Sequence, residues 1–130
     1  MPDTNIWIKI LNPSASPVKE RFHNTDPETI RLCSVVKAEL YYGAYRSQRR
    51  EQNLELLRHF LVNYASFGFD DSAAYAYGEI RAQLAAQGTP IGPNDLMIAS
   101  IAVVNRAILI THNTREFQRV PNLEIEDWES

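Results

Sequence analysis

A single cysteine, Cys33, leaves this chain without an internal disulfide and fits a reducing compartment. It stands in the apolar run 30–36 and reads as a buried structural thiol rather than a nucleophile. No stretch reaches the ~18 apolar residues of a membrane span, because Asn105 and Arg106 interrupt the longest candidate. Asp3 comes too early for a secretory signal, so no membrane partner is expected and the cytoplasm is the default location. An excess of positive charge is also missing. Thirteen Lys and Arg against sixteen Asp and Glu leave a net charge of −3, which gives no bulk argument for a nucleic-acid partner. Arg46, Arg49 and Arg50 cluster, and Arg115 and Arg119 form an i,i+4 pair; charge runs of this kind usually cover solvated helix faces. Five glycines form no phosphate-cradling loop, which argues against nucleotide-triphosphate chemistry. The three histidines show no metal spacing: His23 and His59 read as surface residues, and His112 falls near the edge discussed below. No Ser-His-Asp set, repeat, low-complexity tract or linker is present.

What remains is an ordinary globular composition, 45% hydrophobic over 130 residues. That makes one domain, 1–130, which buries roughly two-thirds of its unfolded surface. Residues 1–4 read as the tail of a very short strand, and 5–11 as a short helix or continued strand. Ser16 and Pro17 start a helix to about His23, and 29–33 is a short interior strand. Ser34 caps a helix over 35–47, and 48–53 is a polar connection. Helix 54–62, strand 64–69 and helix 73–87 follow, the last stopped by Gly88. The clearest strand is 106–111, then a helical turn over 114–119 and an edge strand at 123–125. Strands with continuous apolar character alternating with helices predict an α/β fold: a three-layer α/β/α sandwich around a central, mostly parallel sheet of four to five strands.

The stretch 92–104 organises the rest. Pro93 suits the first turn of a helix, and the residues after it are apolar on nearly every side. Asp95 nevertheless sits in that first turn. Either it caps a surface helix, or it joins other acids around a cation. Open parallel sheets bind ligands beyond the carboxyl ends of their strands. Asp3 ends the first strand, Glu39 lies in the second turn of the helix after the second, and Asn113 follows the fourth. Together with Asp95 they converge on one edge. Capping alone explains Glu39 poorly, since it lies too far into its helix. Carboxylates meeting there repel one another unless a cation neutralises them. An all-oxygen set selects Mg2+ or Mn2+ over Zn2+, and such ions activate water and stabilise phosphoryl oxygens.

At these residues a family resemblance becomes specific. Asp3-Thr4-Asn5, Ser34-Val35-Val36-Lys37-Ala38-Glu39-Leu40, Ile91-Gly92-Pro93-Asn94-Asp95-Leu96-Met97-Ile98-Ala99 and Thr111-His112-Asn113-Thr114-Arg115-Glu116-Phe117 resemble the successive signatures of PIN-domain ribonucleases, above all VapC-type toxins of toxin–antitoxin modules. The ending, from Val120 to Trp128, is similar to theirs as well, so the likeness spans essentially the whole chain. It implies Mg2+- or Mn2+-dependent endoribonuclease activity against an RNA substrate. It also implies inhibition by a small cognate antitoxin, a homodimer, and a larger complex with that antitoxin. By position it implies Asp3, Glu39 and Asp95 as metal ligands, Asn113 as a fourth catalytic residue, and Thr4, Asn5 and Thr111 as supporting neighbours.

Two departures from the family pattern stand out. Only Met1 and Pro2 precede the first Asp where relatives have several apolar residues. A stunted first strand, and an Asp3 poorly fixed by a fraying terminus, are therefore expected. Asn113 is neutral where an acid often stands, which leaves three formal charges and one well-held metal, with Glu116 one turn on as a substitute acid. Two alternatives stand beside the ribonuclease: a weak or inactive protein-binding module, and a DNA-directed nuclease of the same fold. Trp7, Tyr41, Tyr42 and Tyr45 fall on two early helices, where some suit the core and others a partner groove.

Overall fold

The computed structural model describes residues 1–129 and is mostly helical, with very short strands. Met1–Asp3 runs parallel to the clearest predicted strand. Ile110 N–H donates to Met1 O at 3.0 Å, Asp3 N–H donates to Ile110 O at 2.9 Å, and Pro2 bridges Ile110 between them. In a parallel ladder the intervening residue turns its own groups to the opposite neighbour, and Pro2 has no N–H to offer there. The stunted first strand is therefore a single bridge. The remaining strands form two parallel pairs: β1 (Arg31–Cys33) with β2 (Ala65–Phe67), and β3 (Leu109–Ile110) with β4 (Ile125–Glu126).

Asp3 is not frayed, which corrects the expectation from the short strand. It is 7% exposed, and its Oδ1 accepts from Ile6 N–H at 3.0 Å as the N-cap of α1 (Thr4–Leu11). The cap settles 5–11 as helix. Ser16 caps α2 (Pro17–His23) through Lys19 N–H at 3.2 Å. Ser34 does not cap its helix; it is the first residue of α3 (Ser34–Arg46), and its hydroxyl donates instead to Phe67 O of β2 at 3.5 Å. The next helix, α4 (Arg50–Leu61), opens a turn earlier than expected. Arg50, Glu51 and Gln52 are good helix formers, and Asn53 Nδ2 donates to Ser47 Oγ at 2.9 Å across the shortened corner.

Asp70 caps α5 (Asp71–Ala86), which closes at Gly88 with φ 70°, a left-handed conformation natural to glycine. Arg106 plays the same part, at φ 54°, after α6 (Pro93–Val104), and Ala107 N–H returns to Ala102 O at 2.9 Å. That closure uses 105–107, so β3 begins at Leu109 rather than at 106. α7 (Thr114–Phe117) is one turn, ended before Pro121.

Leu96, Ile98, Ala99, Ile101 and Ala102 of α6 are all buried, and α5 makes the most extensive helix contact with it. Trp7 is 0% exposed, with Tyr64 at 5.3 Å and Phe22 and Phe60 at 6.0 Å between ring centroids. It is a core residue, and truncating it costs ~3–5 kcal/mol of stability. Tyr42 and Tyr45, by contrast, are 62% and 55% exposed. No helix among the described residues is long and apolar enough to cross a membrane.

Candidate active site

The carboxyl edge collects acids from four separate elements. Asp3 arrives by the backbone pairing with Ile110 and is held by Ile6 N–H and by the hydroxyl of buried Thr111. Burial pushes its carboxyl up, and these hydrogen bonds pull part of the way back. Glu39, on α3, accepts at Oε1 from Thr4 Oγ1 at 2.6 Å, a short bond of the charge-assisted kind. Asp95 sits in the first turn of α6 without capping it. Its carboxyl is pushed up to about 6, first by burial, then by the charges of Glu116, Glu39 and Asp3, and by a hydrogen bond with Glu116. One residue thus registers the other three.

Glu116 is the residue that the sequence undervalued. From α7 its Oε2 accepts from Asn113 Nδ2 at 3.0 Å and its Oε1 from Gly92 N–H at 3.3 Å, at the very start of α6. Those two bonds hold it beside Asp95, whose carboxyl it helps to raise. Asn113 N–H in turn donates to Thr111 Oγ1 at 3.0 Å, which links the two halves of the cluster. Asn5 is exposed; with Asp3, His112 and Asn113 it lines a shallow hollow beside the acids.

Among the described residues, none of the four carboxylates forms an ion pair with Lys, Arg or His. They are also less tightly drawn together than a second cluster nearby. Only His112, Asp127 and Glu129, among the described residues, have three ligand atoms within 4.8 Å of one another. His112 Nδ1 lies 3.1 Å from Asp127 Oδ2 and 3.2 Å from Glu129 Oε2, and Lys9 pairs with the other oxygen of Glu129. The histidine spacing in the sequence gave no sign of this, because the partners lie 15 and 17 positions away. That cluster already contains a cation of its own, Lys9. The edge cluster contains none, and a half-buried all-oxygen set with no internal counterion fits a hard divalent cation.

The family described as PIN domain matches residues 1–123. The chain is 44% identical to the tRNA(fMet)-specific endonuclease VapC of Shigella flexneri, over 98% of this chain and 96% of that protein. It is 38% identical to Ribonuclease VapC2 of Rickettsia felis, over 99% and 97% respectively. Among solved structures it superposes on VapBC2 from Rickettsia felis bound to a DNA fragment from their promoter. The TM-score is 0.89 at 38% identity, covering 98% of this chain and 97% of that one.

Proposed function

From the premise that this chain belongs to the PIN-domain family, among the VapC ribonucleases of toxin–antitoxin modules, we propose that it is a Mg2+- or Mn2+-dependent endoribonuclease that acts in the cytoplasm as the toxin of such a pair. The observation that carries the reading is that Asp3, Glu39, Asp95 and Glu116, from four separate elements, gather at one edge where, among the described residues, no Lys, Arg or His pairs with them. Asp3, Glu39 and Asp95 would hold the ion, with Glu116 alongside. When bound, such an ion makes water a better nucleophile and stabilises charge on the phosphoryl oxygens.

The chain's own residues do the positioning. Thr4 fixes the Glu39 carboxylate, Thr111 and the first turn of α1 fix Asp3, and the Asn113 amide fixes Glu116. Asn113, at the mouth of the hollow, orients the attacking water or the scissile phosphate. In the reaction a water oxygen bonds to phosphorus, the bond to one ribose oxygen breaks, and that oxygen leaves with a proton. The partners under this reading are RNA, a small antitoxin protein and a second copy of the chain, within a larger complex when the antitoxin is present.

Purified protein incubated with RNA tests it. Cleavage should appear with Mg2+ or Mn2+, vanish with excess chelator and return when the ion is restored. Cutting of DNA in preference to RNA would favour a DNA-directed nuclease. No cutting of either by the folded protein would favour a binding module.

A further inference from the structure

A groove of about 720 Å³ leaves the acid hollow and follows α3. Thr4, Glu39 and Asn94 line its inner end, and Tyr42, Gly43 and Arg46 line its outer end. Glu39, Tyr42, Gly43 and Arg46 are spaced i, i+3, i+4 and i+7, so one helix face carries the whole path. At 1.5 Å per residue it extends about 10 Å beyond Glu39. Tyr42 is 62% exposed, and the Arg46 guanidinium lies over it at 4.8 Å from the ring centroid. Among the described residues, Arg46 forms no ion pair with a carboxylate. A second pair, Arg50 over Tyr45 at 5.9 Å, continues the pattern at the α3–α4 corner. Gly43 forms the floor between ring and hollow, and a side chain there would meet nothing within 4 Å.

We propose that Tyr42 and Arg46 form a subsite for a single-stranded stretch of RNA next to the cut, with a base stacked on the Tyr42 ring and the adjoining phosphate on Arg46. The occupant follows from the chemistry of the path. It begins where the ribonuclease reading, on which this inference rests, places a phosphodiester. It ends on a flat ring with a cation that has no carboxylate of its own. A duplex cannot present a base face to a single ring, whereas an unpaired strand can, and every base has such a face. The wall between the two ends is apolar, at Ile8, Val35, Ala38 and Met97, so an amphipathic peptide is the competing occupant, and RNA affinity that does not depend on Tyr42 would favour it.

Fluorescence anisotropy with a labelled single-stranded oligoribonucleotide, in chelator so that it stays intact, reads the subsite without cleavage. Tyr42→Ala should weaken binding roughly tenfold, and Tyr42→Trp should keep it. Gly43→Leu suits a helix and has room to fold, and it should obstruct the groove and weaken binding comparably. Arg46→Ala should lower the slope of log affinity against log salt by about 0.7. An oligonucleotide with one abasic position beside the cut should lose affinity for the wild type but lose no more with Tyr42→Ala. Wild-type affinity in Tyr42→Ala and Gly43→Leu, or no binding by the wild type, overturns the assignment, whatever these variants do to a protein partner. Binding that depends on Tyr42 in a protein that cuts no RNA supports the subsite and defeats the ribonuclease reading instead.

Discussion

Two clusters of carboxylates lie on either side of Asn113, and the chain treats them oppositely. Near the C-terminus, Asp127 and Glu129 share His112, Glu129 also takes Lys9, and Glu126 takes Arg21 at 2.6 Å. At the carboxyl edge Asp3, Glu39, Asp95 and Glu116 receive hydroxyl, amide and backbone donors, but no cation from the described residues. Neutral donors orient a carboxylate without cancelling its charge. The first cluster is therefore partnered, by Lys9, Arg21 and the His112 ring, and it ties α1 and α2 to the segment after β4. The second stays strained, as the raised carboxyl of Asp95 shows, and its charge is available to something from outside.

Substitutions can break or sharpen this contrast. The largest effect belongs to Asp95→Ala, which should abolish divalent-dependent RNA cleavage, by more than the 10–100-fold typical of losing a group that only supports a metal ligand. Far-UV circular dichroism should show the fold intact. Next comes Glu116→Gln, expected to cost roughly 10–100-fold in activity or metal affinity. An unchanged rate would return Glu116 to a purely structural part at the α6–α7 junction.

A smaller effect is one of stability and runs in the opposite direction. Burial and neighbouring acids raise the Asp95 carboxyl in the folded state from 3.8 to about 6, so between these values the folded chain holds a proton that the unfolded chain has released. That contribution is complete below about pH 4 and lost as pH rises through about 6. Metal-free Asp95→Asn should therefore melt a few degrees above the wild type at neutral pH, roughly 2–5 °C, and show no advantage in acid. Calorimetry across that range checks the sign. Smallest of all, Glu129→Gln loosens an ion pair at the chain end, and should cost no more than ~1 kcal/mol and leave cleavage unchanged.

The placement of the edge acids was legible in the sequence because it depends on local rules. A strand ends at Asp3, a helix starts just before Asp95, Glu39 lies one turn into the helix that follows β1, and a cap such as Asp3 on Ile6 N–H is written in consecutive residues. Less was legible wherever distance along the chain mattered. Glu116 reaches Asp95 only because α7 packs its turn against Gly92, and His112 meets Asp127 and Glu129 only after the chain doubles back through β4. The sorting of aromatics follows helix face. Trp7 lies on the buried face of α1 with Ile6 and Ile10 and packs against Phe22 and Phe60, whereas Tyr42 lies off the Val36, Leu40 and Ala44 face of α3. Pro2 gave a correct warning about the short first strand but a wrong one about Asp3, since one bridge and a cap suffice to hold that residue.

The contrast between the clusters is tested most directly by titrating the metal-free protein with Mn2+ at neutral pH in an isothermal calorimeter, for the wild type, Asp95→Asn and Glu129→Gln. The account predicts binding by the wild type and by Glu129→Gln, and its loss in Asp95→Asn. Binding that survives in Asp95→Asn and disappears in Glu129→Gln would place the ion at the C-terminal cluster and contradict it.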